Sequence, residues 1–142
     1  MYIRLCEDKD EWDQYLLALK RPSFLQSWDW GEFQRAVGQE PVRIVTGGAQ
    51  ARFQLQGFRH KLGFGVSYLY VPQMQNVPAR LASQGEAGGE FGMQSMCEFV
   101  KDQGFSFIRL EPQSELRITN YELRIVPNRQ PQHTLILDLS KS

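Results

Sequence analysis

The sequence lacks most of the features that give a function away. It carries no net charge, because sixteen Lys and Arg balance sixteen Asp and Glu. A general nucleic-acid binder would show a basic excess or stripe, so that class is disfavoured, though a local basic pocket is not. It has only two cysteines, Cys6 and Cys97, far apart and without metal-ligand spacing. That argues for reduced, buried thiols rather than a disulfide frame. The two histidines, His60 and His133, sit in no metal pattern, so no metal site is expected. No apolar run approaches ~18 residues, so no integral membrane segment is expected. The charged stretch MYIRLCEDKDEW reads as no signal peptide, which points to a cytoplasmic location. There is no Walker-type loop, no GxGxxG, no Q/R-x-x-G-x-G/A loop for acetyl-coenzyme A and no G-x-S-x-G elbow. The glycine-rich QGEAGGE (84–90) has the wrong spacing for a phosphate cradle and reads as a loop. No cofactor is expected.

What is present is a core. Apolar residues make up 42% of the 142, and aromatics 12%, enough for one ordinary domain. Residues 2–6 read as a short strand. Asp8 and Glu11 form an acidic capping box, and Trp12, Tyr15, Leu16 and Leu19 then trace one helical face as far as Pro22. Ser27 caps a second helix, with Asp29 in its first turn and Gly38 as its stop. Trp30, Phe33 and Val37 share a face of that helix and are expected in the core. Strands follow at 41–46 and 49–58 around Gly47–Gly48, a hairpin signal. In the second of these, Ala51, Phe53 and Leu55 alternate with Arg52, Gln54 and Gln56, so one face is expected to be wet. Residues 66–72 read as a central strand. Met93, Met96, Cys97, Phe99 and Val100 mark the buried side of a further helix, stopped by Gly104. Strands are expected at 105–112, 121–127 and 133–140. The sum is an α/β domain with a mixed sheet and no internal repeat.

Four blocks, SFLQSWDWGEFQRAVG, YLYVPQ, GFSFIRLEPQ and QPQHTLILDLS, fall in order along the chain. Together they resemble the first half of the FemABX peptidyltransferases, the aminoacyl-tRNA-dependent enzymes that add amino acids to the stem peptide of peptidoglycan precursors. The resemblance implies a GNAT-like acyltransferase fold, with a mixed, mostly antiparallel central sheet flanked by helices. Residues 1–142 would form a single such domain. It would bind the precursor, UDP-MurNAc-pentapeptide or its lipid-linked form, lipid II. The aminoacyl-tRNA would be met through a second domain absent from these residues, so the chain is expected to be a fragment or a truncated product.

In that chemistry an amine attacks an aminoacyl ester. The amine must lose a proton, which a nearby carboxylate can take or stabilise. The resemblance places Glu111 in this role, at the end of the strand FIRLEP, where ligands gather in open α/β sheets. An ion pair with Arg109 or Arg124 is the structural alternative. Gln34 stands where relatives carry a phosphate-binding lysine, and the adjacent Arg35 is a second candidate clamp. Trp28 falls off the stripe of Trp30 and Phe33 and is a candidate groove wall. Tyr70 points to the same side as Tyr68 and is another, with core packing as the alternative. Gln73 takes the place of a basic residue beside the groove, and Met74–Gln75 replace a Gly-Pro turn, so the groove loop is expected to differ. Two other readings remain: a non-catalytic precursor-binding or interaction domain, and an acyltransferase for another cell-surface polymer.

Overall fold

The computed structural model describes residues 2–47, 53–75, 89–113, 126, 127 and 129. Five strands form one sheet, β1 (Tyr2–Leu5), β2 (Pro41–Gly47), β3 (Phe53–Gly63), β4 (Val66–Met74) and β5 (Phe107–Pro112), and their spatial order is their chain order. The first three pairings are antiparallel, and β4 with β5 is parallel. Helices α1 (Lys9–Leu17) and α2 (Trp28–Ala36), with a short 3₁₀ turn at Phe24–Gln26, lie between β1 and β2 in sequence. Helix α3 (Gly89–Asp102) precedes β5 and belongs to the crossover that a parallel pair requires. The expected mixed α/β architecture is therefore observed. The strand expected at 133–140 lies outside the described residues. So does the one at 121–127, except that Val126 and Pro127 are not in a strand.

Period-two alternation sorts the sheet's two faces. One face packs Val42, Ile44, Leu55, Leu69 and Val71 against Met96, Val100 and Phe105, in and just after α3. The opposite face carries Arg43, Val45, Gln54 and Gln56 under α1 and α2, where Cys6, Trp12 and Val45 form a smaller cluster with Trp28 beside it. Asp8 caps α1 by accepting from the Glu11 amide at 3.0 Å, as expected. The helix stops at Leu17, short of Pro22, and the Leu19 amide closes a tighter turn on the Leu16 carbonyl. Among the described residues no helix is long and apolar enough to cross a membrane.

Two expectations from periodicity are overturned. The glutamine face of β3 is not wet: Gln54 and Gln56 are 5% and 0% exposed. Their amide nitrogens find backbone partners instead. Gln54 donates to the Trp12 carbonyl, and Gln56 to those of Leu25 and Ser27. Gln56 Oε1 accepts from Arg43 Nε at 2.8 Å, while Gln54 Oε1 is buried without a partner among the described residues. Most of the cost of burying these amides is thus offset by hydrogen bonds. The second correction concerns α2. Ser27 caps it, and Gly38, at φ +90°, ends it with the Gln39 amide on the Gln34 carbonyl. Yet Phe33 and Val37 are 54% and 59% exposed, and Trp30 is half-buried against Phe24 and Phe33. The buried residue of α2 is Gly31. A Cβ there would lie 2.2 Å from Gln56 Oε1 and 2.3 Å from Arg43 Nη2. The helix thus approaches the sheet through a glycine and a polar contact, leaving its apolar stripe outside.

Candidate functional site

Strand β4 is irregular where it matters. Its pairing with β5 slips between Val71 and Met74, and Gln73 adopts φ +42°. An extra residue on one strand bends it and re-aims neighbouring side chains. Here the bulge sits at the carboxyl ends of the parallel pair, where Glu111 is the next-to-last residue of β5. Tyr70 and Glu111 share one face of the sheet and meet there. The Tyr70 hydroxyl lies 2.9 Å from Glu111 Oε2 and donates to it, while the Arg129 amide donates to Oε1 at 2.5 Å. Both residues are buried, Tyr70 at 6% and Glu111 at 7% exposure. Arg109 donates to the Pro127 carbonyl. Arg124, the other partner considered for Glu111, lies outside the described residues.

Tyr70 also lines a cavity of about 240 Å³ between α2 and the β3–β4 surface, with Trp30, Gln34, Gln39, His60 and Arg129 among its walls. The Arg129 guanidinium lies 5.5 Å from the Tyr70 ring centre, and His60 meets the same ring edge-on at 5.7 Å. Burial lowers the His60 pKa below its ordinary value, and the charges of Arg129 and Arg109 lower it further. A neutral imidazole, a guanidinium and two amides therefore face one aromatic-walled hollow. The arrangement can accept hydrogen bonds, hold negative charge and present a carboxylate through a tyrosine hydroxyl. Among the described residues no group of three His, Cys, Asp or Glu could hold a metal ion.

The candidates from sequence fall in three places. Gln34, Tyr70 and Glu111 converge on this cavity, two as walls and Glu111 through Tyr70. Gln73 lies on the bulge and accepts from Ser23 Oγ at 2.6 Å. Gln75 accepts from the Ser23 amide at 2.8 Å and donates to the Arg21 carbonyl. These two glutamines fasten residues 21–23 to the end of β4, in place of the tight turn. Trp28 and Arg35 lie elsewhere, lining a second cavity of about 350 Å³ with Cys6, Glu40, Arg43 and Arg59. The Arg43 guanidinium sits 3.6 Å over the Trp28 ring and pairs with Glu32 at 2.9 Å. Arg35 shares that carboxylate at 2.6 Å. Burial lowers the Arg43 pKa, and Glu32 opposes the shift.

Sequence reasoning missed His60, Gln39 and Arg129 as cavity residues. His60 was within reach of it. Extending the alternation of β3 past Phe58 puts His60 on the face of Gln54 and Gln56, opposite Tyr68. Arg129 carried no periodic signal. No known protein family, curated protein or solved structure matched the chain when compared with it.

Proposed function

We propose that this chain is a GNAT-like, precursor-holding domain of a FemABX-type aminoacyltransferase. Its partners in that reading are UDP-MurNAc-pentapeptide or lipid II and, through a further domain, aminoacyl-tRNA. The observation that carries the reading is the buried Tyr70–Glu111 pair at the carboxyl ends of β4 and β5, opening onto a cavity with Arg129 and two free-standing amides. The sheet order, with one parallel pair after an antiparallel series, also supports it. In the reaction the stem-peptide amine attacks the ester carbonyl of the aminoacyl-tRNA. A C–N bond forms, the ester C–O bond breaks, and the ribose oxygen leaves with a proton. The amine's own proton passes to the Tyr70 oxygen as the Tyr70 proton moves to Glu111, and the same pair returns a proton to the leaving ribose oxygen. Gln34, Gln39 and Arg129 hold the precursor. In a protein carrying both domains, Glu111→Gln should lower the transfer rate about 100-fold or more while precursor affinity holds within a factor of about three. Unchanged turnover would sink the role of Glu111.

A second reading is a precursor-binding domain without chemistry. Its support is specific: both Glu111 oxygens already accept hydrogen bonds, and an uncharged Gln34 lines the cavity. In that case the precursor changes Trp30 fluorescence, and no amino acid is transferred with or without Glu111.

A further inference from the structure

Strands β3 and β4 meet in a two-residue turn at Phe64–Gly65, which projects from the end of the sheet. Gly63, Phe64 and Gly65 all have positive φ, at 92°, 49° and 76°. For the two glycines this is unstrained. For Phe64 it is not, since Asn or Gly normally fills that place in a hairpin. The fold returns nothing for the strain, because Phe64 is 108% exposed, as open as in an extended peptide. A bulge between Lys61 and Gly63 turns Leu62 outward as well. Leu62 is 59% exposed, Val66 39%, and Phe107, at the start of neighbouring β5, 47%. The tip is therefore convex and apolar, and it has no groove of its own.

Strands β3 and β4 hold no acidic residue, and the basic residues of β3 near the turn are Arg59 and Lys61. Arg59 is paired with Glu40. Exposed Lys61, beside the tip, has no carboxylate partner among the described residues. We propose that the β3–β4 tip docks on an anionic phospholipid surface. Phe64, Leu62 and Val66 enter the headgroup region, and Lys61 meets lipid phosphate. Aromatic side chains favour that interfacial zone, and a bilayer accepts a convex apolar point without a complementary pocket. The strained Phe64 is then repaid outside the fold.

The test is flotation with vesicles of phosphatidylcholine alone and with added phosphatidylglycerol, at low salt. The wild-type protein should float with the anionic vesicles and stay behind with the neutral ones. Phe64→Asn suits the left-handed backbone, so it should melt at the same or a higher temperature yet bind vesicles about tenfold more weakly. Lys61→Gln should weaken binding about fivefold. Three results would overturn the proposal: no flotation with anionic vesicles, Phe64→Asn floating as the wild type does, or a tip that drives self-association in sedimentation without vesicle binding.

Discussion

Gln26 offers the sharpest test of how the cavity wall is held. Its side chain is 3% exposed and lies where β3 and β4 cease to pair. Continuing the register from Phe58 and Tyr70 sets Gln56 opposite Pro72, and proline has no amide proton to give. The Gln26 side chain fills the gap as a substitute peptide group. Its Oε1 accepts from the Gln56 amide at 2.7 Å, and its Nε2 donates to the carbonyls of Gln56 and Pro72 at 3.0 and 2.6 Å. Gln26→Leu keeps the volume and removes all three bonds. Each buried backbone group left unsatisfied costs about 1–3 kcal/mol, and the leucine's burial recovers about 1–2. The net loss is about 2–7 kcal/mol, a large share of the ~5–15 that holds a domain folded. In urea, with a slope of ~2 kcal/mol per molar, the midpoint should fall by about 1–3.5 M. A midpoint within about 0.3 M of wild type would refute the claim that this amide completes the ladder.

Gly31→Ala should destabilise by about 1–3 kcal/mol in the same assay, although alanine favours helix by about 1. The added Cβ meets Gln56 and Arg43, which are buried and already bonded. A more stable variant would disprove the close approach of α2. His60 should give a pH dependence. Its folded pKa lies below the ordinary value near 6.5, so the unfolded chain takes up the proton first. Stability contributed by the neutral ring is present above that value and is lost as pH falls below it. Relative to His60→Gln, wild type should weaken as pH drops from about 7.5 to about 5.5, and parallel curves would count against a desolvated ring. Burial pushes the Cys6 and Cys97 thiols up, so both should alkylate slowly at neutral pH. Cys6, the more deeply buried, should be the slower, and rapid labelling of folded protein at Cys6 would contradict its packing.

Caps, stops and strand runs were legible in the sequence because each depends on neighbours along the chain. Asp8, Ser27 and Gly38 act through bonds to residues within five positions, and all three do what their types predict. Orientation was less legible. Periodicity names the apolar face of α2 but not the face that meets the sheet. That choice is made by Gly31 and by Arg43 and Gln56, which lie beyond the reach of any helical window. The glutamines misled for a related reason. An amide looks solvent-facing until the backbone carbonyls of another segment arrive beside it. For the cavity, Gln34 and Tyr70 could be found from the residues and the family resemblance. Trp28 was set apart on a true observation, that it falls off the stripe, and it lines the second cavity beneath the Arg43 guanidinium.

The agreement between chain order and spatial order also bears on how the sheet assembles. Strands β3 and β4 close through two residues, so their pairing needs little loop entropy. Strand β5 must wait for a crossover that includes α3, and β1 for the connection through α1 and α2, so both cost more to place than the hairpin. Glu111 lies on β5 and meets Tyr70 only once that strand has docked. The carboxylate is thus set in place after the hairpin, and a molecule with β5 undocked would keep its hairpin and lack the pair.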